Sequence, residues 1–214
     1  MKIENLDVIA FPFTWKSIWK PYPLAIRIAT GAYTHVGICL NEINTGLDGP
    51  IVETSIIEAV WGGFIPSPFS GYEQEKRAPF EVYRLRYDWF FDSPLDIEAY
   101  KFHCVERIKK MEGQKYDVSA IFSFPVRILL GAPYRKLRKR PLFDTTDEVF
   151  CSEAVSQALR LGGPDWLEVT DKLKPKVDFQ NVITLNNLDD ADVTPTMIAK
   201  SPAFIKVGEV KVNE

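Results

Sequence analysis

The sequence predicts an α+β domain in which an antiparallel sheet packs against helices. Two observations predict the class. β-branched, alternating runs crowd the chain before residue 90, and helical periodicity takes over from Asp96 to Met111 and again around Cys151. A third observation bounds the size: 214 residues with 46% hydrophobic side chains can close one substantial core, so residues 1–214 read as a single domain.

The elements follow in order. "VIAFPFTWKSIWKPYPLAI" mixes apolar runs with aromatics and prolines, which predicts a strand followed by a loop or short helix. "YTHVGICL" alternates: Tyr33, His35, Gly37 and Cys39 fall on one face, and Thr34, Val36, Ile38 and Leu40 on the other. The turn-rich "NEINTGLDGP" separates it from "IVETSIIEAV", so an antiparallel hairpin with a long loop is expected, and "FEVYRLRY" reads as a third strand. Between Asp96 and Met111, Ile97, Tyr100, Cys104, Ile108 and Met111 recur at helical spacing, with Gly113 placed to end the helix. A second helix is expected to start near Val149 or Phe150 and to stop at Gly162 and Gly163, and "AFIKVGEVKV" returns as an edge strand.

Bulk charge selects no partner, because a formal net charge of −3 pulls toward neither nucleic acid nor an anionic membrane. No stretch reaches the roughly 18 apolar residues of a spanning helix, since Arg127 interrupts even the run from Ile121 to Leu130. The start "MKIENLDVIAFPF" carries Glu4 and Asp7 and no sustained apolar core, so a cleaved leader is not expected. The 3 cysteines are widely spaced with no CxxC pair, which argues against a disulfide framework and a zinc site. A soluble protein of a reducing cytosol, with no metal or other cofactor, is the expectation.

The chemistry concentrates in "TTDEVFCSEAVSQALRLGG". Cys151 falls in or just before the first turn of the second helix, where unpaired N–H groups and the helix dipole favour a thiolate. Val155, Ala158 and Leu159 share its side of the helix, so the sulfur faces the body of the protein. A thiol there needs a base, and the chain has only 2 histidines. His103 shares the polar face of its helix with Asp96, Glu106, Arg107 and Lys110, the pattern of a solvated histidine. His35 lies mid-strand beside Gly37, and the neighbouring strand offers Glu53 and Glu58 as carboxylates to orient it. Those two stand five apart and point to opposite faces, so at most one can serve. Cys39 is four residues from His35, roughly 13 Å at strand rise and too far to pair, and Cys104 faces the core side of its helix.

Four motifs in this order, "THVGI", "IEAV", "GQKYD" and "FCSEAV", resemble the circularly permuted NlpC/P60 enzymes of the YiiX/YebB-like group. The likeness spans residues 5–160 and implies a papain-like fold with the histidine strand ahead of the nucleophile helix. It also implies that Cys151 is the nucleophile, His35 the general base and Glu58 the residue that orients the imidazole. Tyr116 and Ser152 are carried over as substrate-binding or oxyanion support. Two departures stand out: Ala154 where the family often has leucine, and a longer hairpin loop before "IEAV". The implied activity is a cysteine hydrolase that cleaves an amide or ester bond through an acyl-enzyme, in a peptide, peptidoglycan-like or lipid-conjugate substrate, in a bacterial or phage protein. Lipid acyl transfer on the same triad and a ligand-binding module without turnover are the alternatives.

Two features bear on the substrate. Arg135, Lys136, Arg138, Lys139 and Arg140 lie between Tyr116 and Cys151 and suit either an anionic docking patch or a solvated face. No base-stacking module accompanies them, so no specific nucleic-acid partner is expected. Phe11, Phe13, Trp15, Trp19 and Tyr22, interleaved with Lys16 and Lys20, suit either core packing or the lip of an apolar pocket at a membrane surface.

Overall fold

Successive strands of the first half pair side by side into one antiparallel sheet. The computed structural model describes residues 2–13, 32–46, 49–60, 62–69, 79–116, 148–149, 151–160 and 193–211. Its strands are β1 (Val8–Pro12), β2 (Tyr33–Gly46), β3 (Gly49–Val60), β4 (Gly63–Pro68), β5 (Phe80–Leu85), β6 (Lys115–Tyr116), β7 (Glu148–Val149) and β8 (Phe204–Val210). Six of them form a sheet in the order β4-β3-β2-β1-β5-β8, with every neighbouring pair antiparallel. The described helices are α1 (Tyr87–Phe90), α2 (Pro94–Met111), α3 (Cys151–Leu159) and α4 (Pro195–Lys200). None is both long and apolar enough to cross a membrane.

The hairpin differs from its sequence expectation. "NEINTGLDGP" is not a long loop: β2 and β3 stay in register out to Gly46 and Gly49, so backbone pairing carries the polar residues as strand. The edge strand β4 was not legible because Pro66 and Pro68 interrupt its pattern. Proline lacks the N–H a central strand needs, and an edge strand tolerates it. The return of "AFIKVGEVKV" as an edge is observed as β8.

The alternation of β2 divides two apolar clusters. Val36, Ile38 and Leu40 join Val8, Ala10, Ile57, Ala59 and the buried sides of α2, α3 and α4. Cys39 joins Ile9, Phe11, Ile56, Phe80 and Val82. Tyr33 corrects the predicted alternation. A register shift pairs Phe11 with His35 but Pro12 with Tyr33, so Thr34 is skipped and Tyr33 packs with the helix-side cluster. There its hydroxyl meets Tyr83 at 2.7 Å and Glu81 at 2.5 Å.

Helix α2 starts as its sequence dictates: Ser93 caps it, its hydroxyl accepting from the Asp96 N–H, and Pro94 stands at the first helical position. The chain leaves it through Gly113 at φ +83, a backbone state that favours glycine. Tyr100, completely buried on α2, donates its hydroxyl to the Leu159 carbonyl at 2.8 Å and so fixes the end of α3. On the sheet, Asp7 takes Arg84 in a two-pronged pair, 2.8 Å at each contact, which locks the start of β1 onto β5.

Candidate active site

Cys151 is the first residue of α3. The expected start at Val149 or Phe150 moves, because Val149 belongs to β7, which pairs in parallel with β6: Lys115 opposite Glu148, and Tyr116 opposite Val149. The short ladder places Lys115 and Tyr116 beside the backbone that leads to the cysteine. Helix α3 then packs against β2, β3, α2 and α4 and buries Cys151, Ser152, Ala154, Val155, Ser156, Ala158 and Leu159. With so many side chains inward, it is a core helix whose first turn touches the sheet.

Cys151 is 6% exposed and lies near enough to His35, at the start of β2, to raise the proton affinity of the imidazole. The other side of the imidazole meets Glu58: Nε2 donates to Oε2 at 2.7 Å, with the two side chains 23% and 7% exposed. With Nε2 engaged, Nδ1 is the ring nitrogen left to the sulfur. Gly37 of β2 lies close against Glu58 and leaves its side chain room beside the histidine. A Cβ on residue 37 would lie 2.6 Å from Ile56 Cγ2, 3.1 Å from the Ile57 carbonyl and 3.4 Å from Glu58 Cβ. Glu53, the alternative carboxylate, pairs in register with Glu42 at the far part of the ribbon and is exposed. The ring of Phe11 packs 5.4 Å from the imidazole.

The electrostatics follow from these neighbours. Burial alone would strip the proton from His35, but the Cys151 sulfur and the Glu58 carboxylate outweigh it and push the imidazole from 6.5 up to about 10. Raised this far, the His35 ring is imidazolium at neutral pH. The other thiols have no such partner. Burial pushes Cys104 up to about 12, and burial, then the nearby Asp7 carboxylate, pushes Cys39 well above the usual thiol range.

The remaining sequence candidates separate. The Ser152 hydroxyl, fully buried, donates to the Val193 carbonyl at 2.6 Å and anchors α3 to the segment before α4. What the helix start offers an oxyanion is its first-turn N–H groups, which have no intrahelical acceptor. Tyr116 is half-buried against the cluster that contains Cys151. His103 stays on α2, half-buried, with its ring against Phe102. Arg135, Lys136, Arg138, Lys139 and Arg140 lie outside the described residues, as do Trp15, Lys16, Trp19, Lys20 and Tyr22. Ser67 was missed. Its hydroxyl donates to Glu58 Oε1 at 3.2 Å, and nothing in "GFIPSPFSG" distinguishes it from a turn serine.

Over 98% of its length, this chain superposes on 99% of the chain of the metalloprotein yiiX from Escherichia coli O157:H7, DUF1105, with a TM-score of 0.54 and 14% identity. The fold is yiiX-like. No protein-family model matches the sequence, and no curated protein matches it.

Proposed function

We propose that this protein is a cysteine hydrolase of the circularly permuted, papain-like NlpC/P60 kind, with Cys151 as nucleophile, His35 as proton carrier and Glu58 as the residue that orients it. The observation that carries the reading is the 2.7 Å hydrogen bond from His35 to the buried Glu58, on an imidazole whose proton affinity the nearby Cys151 at the start of α3 also raises. The Cys151 thiolate attacks the carbonyl carbon of an amide or ester. A carbon–sulfur bond forms, and the first-turn N–H groups of α3 receive the oxyanion. Imidazolium at His35 then gives its proton to the departing amine or alcohol as that bond breaks. In the second half His35 takes a proton from water, the resulting hydroxide attacks the acyl-enzyme, and the carbon–sulfur bond breaks. A reducing compartment suits this chemistry, since Cys39, Cys104 and Cys151 are all free thiols.

Yiix is described as a metalloprotein. Among the described residues of this chain no group of three or more His, Cys, Asp and Glu side chains is arranged to hold a metal ion, and Glu58 already occupies Nε2 of His35. These described residues do not fit a metal centre.

Alkylation of the full chain with iodoacetamide, read cysteine by cysteine by mass spectrometry, tests the reading. Cys151 is expected to react faster than Cys39 and Cys104 at neutral pH and to lose that advantage in His35→Ala. Equal, slow reaction of all three thiols in both proteins would overturn the hydrolase reading in favour of ligand binding without turnover. Product analysis with and without an acyl acceptor then separates hydrolysis from transfer.

A further inference from the structure

Each carboxylate oxygen of Glu58 meets a different strand. Oε2 accepts from His35 on β2 at 2.7 Å, and Oε1 accepts from the Ser67 hydroxyl on β4 at 3.2 Å. Ile56 pairs with Ser67 and Glu58 with Ile65, so Ser67 sits diagonally across from Glu58 on the same sheet face. Pro66 and Pro68 flank the serine with their exposed rings on the opposite face, and their fixed φ angles stiffen the edge that carries the hydroxyl.

We propose that Ser67 is a positioning residue, whose hydroxyl holds the Glu58 carboxylate so that Oε2 stays aimed at His35. This rests on the thiol-hydrolase reading of the site. The terminal torsion of a glutamate is broad and nearly two-fold, so one contact to an imidazole leaves the carboxylate free to pivot. A second donor on the other oxygen removes that freedom. The 3.2 Å distance is long for an O–H···O bond, which suits orientation more than strength. A donor also favours the ionised form of the carboxylate it bonds, and the imidazolium at His35 depends on that charge. His35 from β2 and Ser67 from β4 face this carboxylate. Cys151 of α3 acts on it through the imidazole, and Gly37, close beside it, has no side chain.

The experiment follows iodoacetamide alkylation of Cys151 across the acid and neutral range in full-length wild type, Ser67→Thr, Ser67→Val and His35→Ala. Thr and Val match in shape and both suit a strand, so the pair isolates the hydroxyl. Ser67→Thr should follow wild type. Ser67→Val should lose about threefold to tenfold in rate at neutral pH, with its acid limb moved to higher pH, because a carboxylate short of a donor takes up a proton more readily. If the Val and Thr variants share one acid limb, whether unchanged from wild type or equally displaced, while His35→Ala abolishes the fast reaction, the positioning role falls and the hydrolase reading stands. If His35→Ala reacts like wild type, that reading fails and takes the role of Ser67 with it.

Discussion

Nε2 of His35 lies 2.7 Å from Oε2 of Glu58, and the carboxylate belongs to a side chain only 7% exposed. A buried charge needs a partner, and here a partner is the ring whose proton affinity the Cys151 sulfur, at a helix start, also raises.

The pH dependence of stability should reveal this coupling. His35 is raised from 6.5 to about 10; burial opposes its charge, and the Cys151 sulfur and Glu58 override that opposition. Since the folded value lies above the unfolded one, the contribution is complete below pH 6.5 and is lost as pH rises through about 10. Denaturant melts of wild type and His35→Gln should differ most at the acid end of that window and converge at the alkaline end. A difference that widens with pH would contradict the assignment.

Glu58→Gln keeps the shape of the side chain and removes its charge. The imidazolium loses a counter-charge, so the fast alkylation of Cys151 at neutral pH should fall by about tenfold, roughly the effect of one unit of proton affinity at His35. Glu53→Gln, at the exposed part of the same strand, should leave the rate within about twofold.

Gly37→Ala places a methyl against Ile56 and beside Glu58 where the strands have closed on a bare Cα. Overpacking of this kind costs about 1–3 kcal/mol. Thermal melting should show that loss, and alkylation of Cys151 should slow at temperatures where the variant is still folded, because Glu58 is displaced from the ring.

Asp7→Asn tests the lock at the other end of β1. The Asp7 side chain is 1% exposed and holds both prongs of Arg84, itself 23% exposed. Breaking such a pair from one side costs about 3 kcal/mol. Urea unfolding should report a lower midpoint with the same slope, and an unchanged midpoint would show that solvent already screens the pair.

The sequence by itself determined the periodic elements and the candidates within them. Alternation in "HVGICL" is imposed by the pleat, so Val36, Ile38 and Leu40 were bound to share a face, and the amphipathic spacing of α2 likewise marked Tyr100, Cys104 and Ile108 as core. A cysteine after a polar lead-in and before an apolar run marked a helix start for the same local reason. Tertiary structure alone decided which side chains meet. One skipped residue at Thr34 turned Tyr33 to the helix side, strand register brought Glu58 to the imidazole and Ser67 to Glu58, and the Val193 carbonyl claimed the Ser152 hydroxyl. Periodicity is a property of the backbone and can be read from neighbours in the chain. Register and contact depend on segments far apart in sequence, and a shift of a single residue reverses a face.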